Sequence, residues 1–322
     1  MPAIYFHYLT CDLLMDKKAP YRNIILLGSQ GPDPLFFYGH SLAIRVNQQE
    51  KRAMGDKFHH EKIAETMQAM MEYASREEKE QNRNILYSYI SGYFFHYCVD
   101  RNCHPYIFYR SGFTTTKDEN QLKYKYFHAS FESELDVAIS KRYKFNRTIP
   151  SRLILCSNRN LMLISKMYYF VTQKVYYPCN YFGRTTFYHA VKDMRFAYRF
   201  TYSPFKVKKA VFERRAKYRL RNAISHPFYI DENIDHLNLK RSSWRDPVSG
   251  AYNDLSVIDM IENAKREYEQ TVTLREIKDK KIRDSYILRF VHDTDFDGEK
   301  IGSTKQYYSL YKEDYKNDNL NS

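Results

Sequence analysis

The chain has 322 residues, 43% hydrophobic and 28% charged, a balance that supports a large buried core and excludes both a disordered chain and a small disulfide-stapled scaffold. Lys and Arg outnumber Asp and Glu by 51 to 38, a formal net charge of +13, so the surface favours anionic partners such as phosphates, acidic membranes or nucleic acid. Cys11, Cys98, Cys103, Cys156 and Cys179 form no Cys-x-x-Cys pair, which argues against a thiolate zinc knuckle, and no apolar run is long enough to span a bilayer. The opening Met-Pro-Ala-Ile-Tyr-Phe-His has neither the basic nor the apolar region of a secretory signal, so the expected location is cytoplasmic.

Residues 3–16 carry Ile4, Leu9, Leu13 and Leu14 at helical spacing, with His7 in the first turns. The next apolar run breaks at Gly28, Gly31 and two prolines bracketing Asp33. Each proline fixes its own φ and restricts the residue before it, so Asp33 sits in a rigid turn, either as an ordinary cap or as a carboxylate fixed at a metal. The pattern Phe58, Ile63, Met67, Met70, Met71 predicts one helix over 56–73 with His59 and His60 near its start, of which one faces the core. After a charged connection at 75–81, an apolar helix opens near Asn82 and delivers His96, Asp100 and His104. Residues four apart lie one turn above each other, so these three share a face. Pro105 is expected to end that helix, and Cys103 reads as packing in preference to an outer thiol beside the metal ligands.

A polar loop over 111–120 leads to a helix over 121–143, where His128 and Glu132 repeat the four-residue spacing. Further helices are expected over 151–173, 186–202 and 206–222. The last carries eight basic residues against Glu213 alone, which reads as a solvated face or as a lipid or nucleic-acid surface. Residues 226–251 are irregular and hold Trp244, and a helix over 254–277 packs back on the bundle. His189, His226, His236 and His292 lack ligand-spaced partners and read as structural. Asp293-Thr-Asp295-Phe-Asp297-Gly298 imitates the opening of a calcium loop, but Thr304 stands where a bidentate Glu is required. The expected fold is an all-α bundle of about nine helices, a single domain over 1–277 with a charged extension over 278–322, and a metal cluster between the N-terminal helices.

The candidate ligands are therefore His7, Asp33, His59 or His60, His96, Asp100, His104, His128 and Glu132, imidazoles and carboxylates without thiolates. Such donors suit zinc or another first-row metal, and the supply exceeds one tetrahedral site. A carboxylate such as Asp100 bridging two ions is an apparatus for attacking a phosphodiester. Gly-Ser-Gln-Gly-Pro-Asp33, His59, His96-x-x-x-Asp100 and His128-x-x-x-Glu132, in this order, resemble the zinc-dependent phospholipase C family. The Met-Pro start and His104-Pro-Tyr-Ile107 are similar to its intracellular bacterial members, and the resemblance covers roughly residues 1–270.

The resemblance implies one zinc held by Asp33, His59, His96 and Asp100, a second by His104, His128 and Glu132, and Asp33 doubling as general base. Of the paired histidines, His59 is favoured over His60. The secreted enzymes add a third zinc, held by an N-terminal Trp, a His matching His7 and the Asp matching Asp100. This chain has no such Trp; removal of Met1 would leave the Pro2 amine to complete that site, so two or three zinc ions are expected. A second departure is spacing, with three residues between Asp100 and His104 where the secreted enzymes have five. The expected function is hydrolysis of phosphoesters, with an anionic substrate such as a phospholipid and peripheral membrane contact. A nuclease is less favoured, because the related fungal nucleases usually carry Asp where Glu132 stands. A non-catalytic zinc protein that binds membrane or nucleic acid is the remaining alternative, distinguished by a closed metal site in place of an open one.

Overall fold

A computed structural model describes residues 4–114, 120–145, 150–203 and 230–310, with positions 205, 208 and 211 besides. Most of the basic stretch 206–222, the tip of the polar loop, and the Pro2 amine lie outside the described residues. The architecture is all-α. Among the described residues the ten α-helices are α1 (Ile4–Leu14), α2 (Arg22–Gly28), α3 (Gln48–His60), α4 (Ile63–Ser75), α5 (Glu80–Ser111), α6 (Asn120–Arg142), α7 (Asn158–Val175), α8 (Thr186–Thr201), α9 (Val257–Glu269) and α10 (Lys280–Val291). The one sheet among the described residues is a hairpin, Trp244–Arg245 paired antiparallel with Tyr252–Asn253. No helix is long and apolar enough to cross a membrane among the described residues.

The 32-residue helix α5 is the axis of the fold, roughly 48 Å long at 1.5 Å per residue. Tyr89, Tyr93, Phe95, Tyr97, Cys98 and Val99 are all fully buried, so α5 is apolar around most of its circumference and is enclosed by neighbours. α2 and α9 make its most extensive contacts, and α4, α6 and α7 complete the casing. α1 lies along α6, while α7 bridges α4 and α8.

Four expectations need correction. The helix expected over 56–73 is two helices, broken where Lys62 takes a left-handed φ of 50° and extends its ammonium to the Val175 carbonyl. Helix α5 does not stop at His104 but runs through Pro105 to Ser111: proline's fixed φ suits a helix, and the cost is one missing N–H and crowding of the ring against the Arg101 carbonyl. The helix expected over 254–277 is shorter. It starts after Ser256, whose side chain and that of Asp259 form a reciprocal capping box, and it ends at Glu269 before a 3₁₀ turn at Leu274–Glu276. Trp244 lies in a strand and is buried, its indole N–H donating to the Leu255 carbonyl.

Candidate metal centre

Helix α5 presents His96, Asp100 and His104 on one buried face, as the spacing requires. Asp100 stands between two groups of side chains. Its Oδ1 is 3.1 Å from His7 Nε2, and its Oδ2 is 3.2 Å from His96 Nε2 and 4.0 Å from His104 Nδ1. The inner group adds Asp33, from the 3₁₀ turn Asp33–Phe37 after Pro32, with its Oδ1 3.1 Å from Nε2 of His59 in the last turn of α3. The outer group joins α5 to α6: Glu132 Oε1 is 3.4 Å from His104 Nε2 and 3.2 Å from His128 Nε2. The donor atoms of His7, His96 and Asp100, of Asp33, His59 and His96, and of His104, His128 and Glu132 each converge closely enough to hold an ion.

Backbone carbonyls orient the rings. Nδ1–H of His59 donates to Gly55 O at 2.7 Å, and that of His96 to Ser29 O at 3.0 Å, so both rings turn Nε2 inward. Gly31 packs directly on the His96 ring, and a Cβ there would come within 2.0 Å of it. Asp33 Oδ1, His59 Nε2 and His96 Nε2 are buried without a hydrogen-bond partner, although they face one another. Buried polar atoms of this kind are uncommon in a settled fold, and their convergence fits a cation among them. The donor set of imidazole nitrogens and carboxylate oxygens suits zinc or another first-row metal.

The electrostatics agree. Burial works against the charge of Asp100, yet His96, His104 and His7 hold its carboxyl well below the usual range. Glu132 is held down at about 2, against burial, with His128 and His104 contributing. Burial pushes His96 down to about 3, which keeps its imidazole neutral and its Nε2 lone pair available. His104 moves the other way, lifted to about 10 against burial by Asp100, Glu132 and Asp297. A buried carboxylate cluster needs positive charge, and without an ion protons on the histidines supply it.

The model of the zinc-dependent phospholipase C family matches residues 11–176, just over half of the chain. The chain belongs to the zinc-dependent phospholipase C family. No curated protein and no solved structure matches it significantly. The family region spans every residue of the two groups except His7, which α1 contributes from just before it.

Beyond the family region, the residues after α10 reach the same centre. Phe296 donates its N–H to His59 O at 3.1 Å, and its carbonyl accepts Nδ1–H of His104 at 2.8 Å. Its ring stands edge-on to His59, with centroids 4.8 Å apart, and 5.6 Å from His96. Gly298 makes this approach possible. At its φ of 76° a Cβ would lie 2.0 Å from the Arg101 carbonyl, the acceptor that Pro105 cannot bond, and 2.9 Å from Pro105 itself. Asp297 Oδ2 meets His60 Nε2 at 3.4 Å and Lys305 Nζ at 2.7 Å, and Lys305 also reaches Glu299 at 3.2 Å. Asp295, Asp297 and His60 could likewise hold an ion, but Lys305 already supplies Asp297 with a counter-charge.

Sequence reasoning missed this segment. Its acidic pattern invited a calcium test, while its contacts to His59 and His104 run through backbone groups that leave no mark in the sequence. His60 pairs with Asp297 and its ring is partly exposed, whereas His59 is buried beside Asp33. Cys103 lies in the packed interior, and burial holds its thiol well above the ordinary range. His236 is structural, its Nε2 3.1 Å from Glu134. A cavity of about 600 Å³ opens onto His59, His104 and His128, walled by Phe36, Phe108, Phe113 and Tyr126, with Arg52 and Lys125 also lining it.

Proposed function

We propose that this protein hydrolyses phosphodiesters in a zinc-dependent reaction of the phospholipase C type, with a phospholipid as substrate. The observation that carries the reading is the cavity, which reaches His104 and His128 from solvent while Asp33, His96 and Asp100 lie behind it. A closed structural site would have no such approach. In this reading Asp33, His59, His96 and Asp100 hold one zinc, His104, His128 and Glu132 hold another, and His7 with Asp100 is available to a third. Zinc bound there would lower the pKa of water and neutralise charge on the phosphoryl oxygens.

The chain's own residues supply the rest. Asp33 accepts the proton of the attacking water. Its carboxyl is kept below the usual range, against burial, by interactions that include those with His59 and His96. Arg52 and Lys125 draw the phosphate into the cavity, and the aromatic walls exclude water and receive the apolar part of the substrate.

The test is zinc content by elemental mass spectrometry on the purified protein and on Asp100→Asn, each assayed against a small soluble phosphodiester, phosphatidylcholine and single-stranded DNA. Two or three zinc ions per chain and lipid hydrolysis, both lost in the variant, are expected. Preferential cleavage of DNA would make the protein a nuclease, and absence of both metal and hydrolysis would overturn the reading.

A further inference from the structure

The loop over 38–47 joins the 3₁₀ turn that carries Asp33 to the helix that carries His59. It exposes three aliphatic side chains in alternation: Leu42 at 90%, Ile44 at 99% and Val46 at 70%. The segment is held firmly from beneath. Gly39 N–H donates to Asp193 Oδ2 at 2.8 Å, and Arg45 grips the same carboxylate through Nε at 2.6 Å and Nη2 at 2.9 Å. Gln48 then closes the loop on the Arg45 carbonyl at 3.0 Å. Asp193, on α8, is itself buried, so the charge pair faces inward and the aliphatic residues between and beyond its anchors face out.

A single exposed aliphatic residue needs no explanation, but three on one anchored loop form a patch of the kind that marks an interaction surface. Two further observations name the partner. The loop borders the cavity, since Phe36 before it and His40 within it line the approach to the metal ligands, and Leu122, 67% exposed, lines the same cavity. The surroundings are also cationic. Arg45 neutralises Asp193, the sole acid of α8, and Arg52 and Lys125 line the cavity that the loop borders. Protruding aliphatic side chains beside basic residues match a bilayer interface with anionic headgroups.

We propose that this loop is a membrane-docking element: Leu42, Ile44 and Val46 enter the interface of an anionic phospholipid bilayer and hold the cavity against the lipid. The proposal rests on the phospholipid reading only for the purpose of docking; the binding itself is a separate property.

The experiment uses the full chain and vesicles of phosphatidylcholine, alone or mixed with phosphatidylglycerol. Wild type co-sediments with the mixed vesicles, and Leu42→Ser/Ile44→Ser/Val46→Ser binds them at least about tenfold more weakly. Hydrolysis of a soluble phosphodiester is unchanged in that variant, because none of the three residues touches the metal ligands. In Ile44→Trp the added indole shifts to shorter emission wavelength on the mixed vesicles, while the native Trp244, already buried, does not respond. Equal vesicle binding by wild type and the triple variant, equal binding to pure phosphatidylcholine, or an unshifted Ile44→Trp would overturn the proposal. So would a triple variant whose only change is conversion of a dimer to a monomer, since the patch would then serve a second copy. If wild type binds vesicles through the loop but hydrolyses no phosphodiester, the docking stands and the enzymatic reading falls.

Discussion

The two groups that share Asp100 are built differently. The inner one gathers His7, Asp33, His59 and His96 from α1, a 3₁₀ turn, α3 and α5, all buried, so its geometry exists only when most of the N-terminal half has packed. The outer one draws its ligand side chains from α5 and α6 alone, and its His128 is partly open to the cavity. Metal affinity that depends on the packing of many segments is bound up with folding, whereas a ligand pair on two neighbouring helices can change with little effect on the fold. Stability should therefore follow the inner group and turnover the outer.

The largest effect expected is at the inner group. His59→Ala leaves the buried Asp33 carboxylate without its neighbour and should cost about 3–5 kcal/mol, read as a fall in thermal midpoint together with loss of zinc. His128→Ala should sharpen the contrast: stability changes by under about 1 kcal/mol, because the ring is only partly buried, while zinc content drops and hydrolysis falls at least about 100-fold. Equal destabilisation by the two would break the comparison.

The smallest effect belongs to the segment after α10. Burial, aided by Asp297 and Asp295 and opposed by Lys305, raises Glu299 from an ordinary 4.5 to about 7. A carboxyl whose folded pKa is raised favours the folded state when protonated. Its contribution is complete below 4.5 and is lost as pH rises through about 7. Glu299→Gln should remove that decline, so thermal midpoints of variant and wild type should separate between those two values, with zinc content unchanged.

The legible parts of the centre were those carried by local periodicity or rigid local geometry. His96, Asp100 and His104, and likewise His128 and Glu132, announce themselves by helical spacing, and the two prolines mark Asp33. His7 was harder, because nothing near it in the chain repeats its chemistry; it meets Asp100 across 93 positions only after α1 packs. Phe296 was out of reach, since its bond to His104 spans 192 positions and uses a carbonyl that every residue possesses. The break between α3 and α4 was hidden too, because a left-handed Lys62 lacks the glycine that usually signals such a turn. Pro105 misled for a related reason: the cost of its missing N–H falls on the Arg101 carbonyl, against which only a glycine from far downstream can pack so closely.

The segment of that glycine and Phe296 also bears on the order in which the centre's parts become available. A chain emerging from the ribosome presents all the candidate metal ligands once Glu132 is out, yet His104 lacks the Phe296 carbonyl as acceptor for Nδ1–H until that residue follows. The centre is thus completed by the chain's late portion, and an incomplete product of translation carries every candidate ligand without the bond that holds His104 in place.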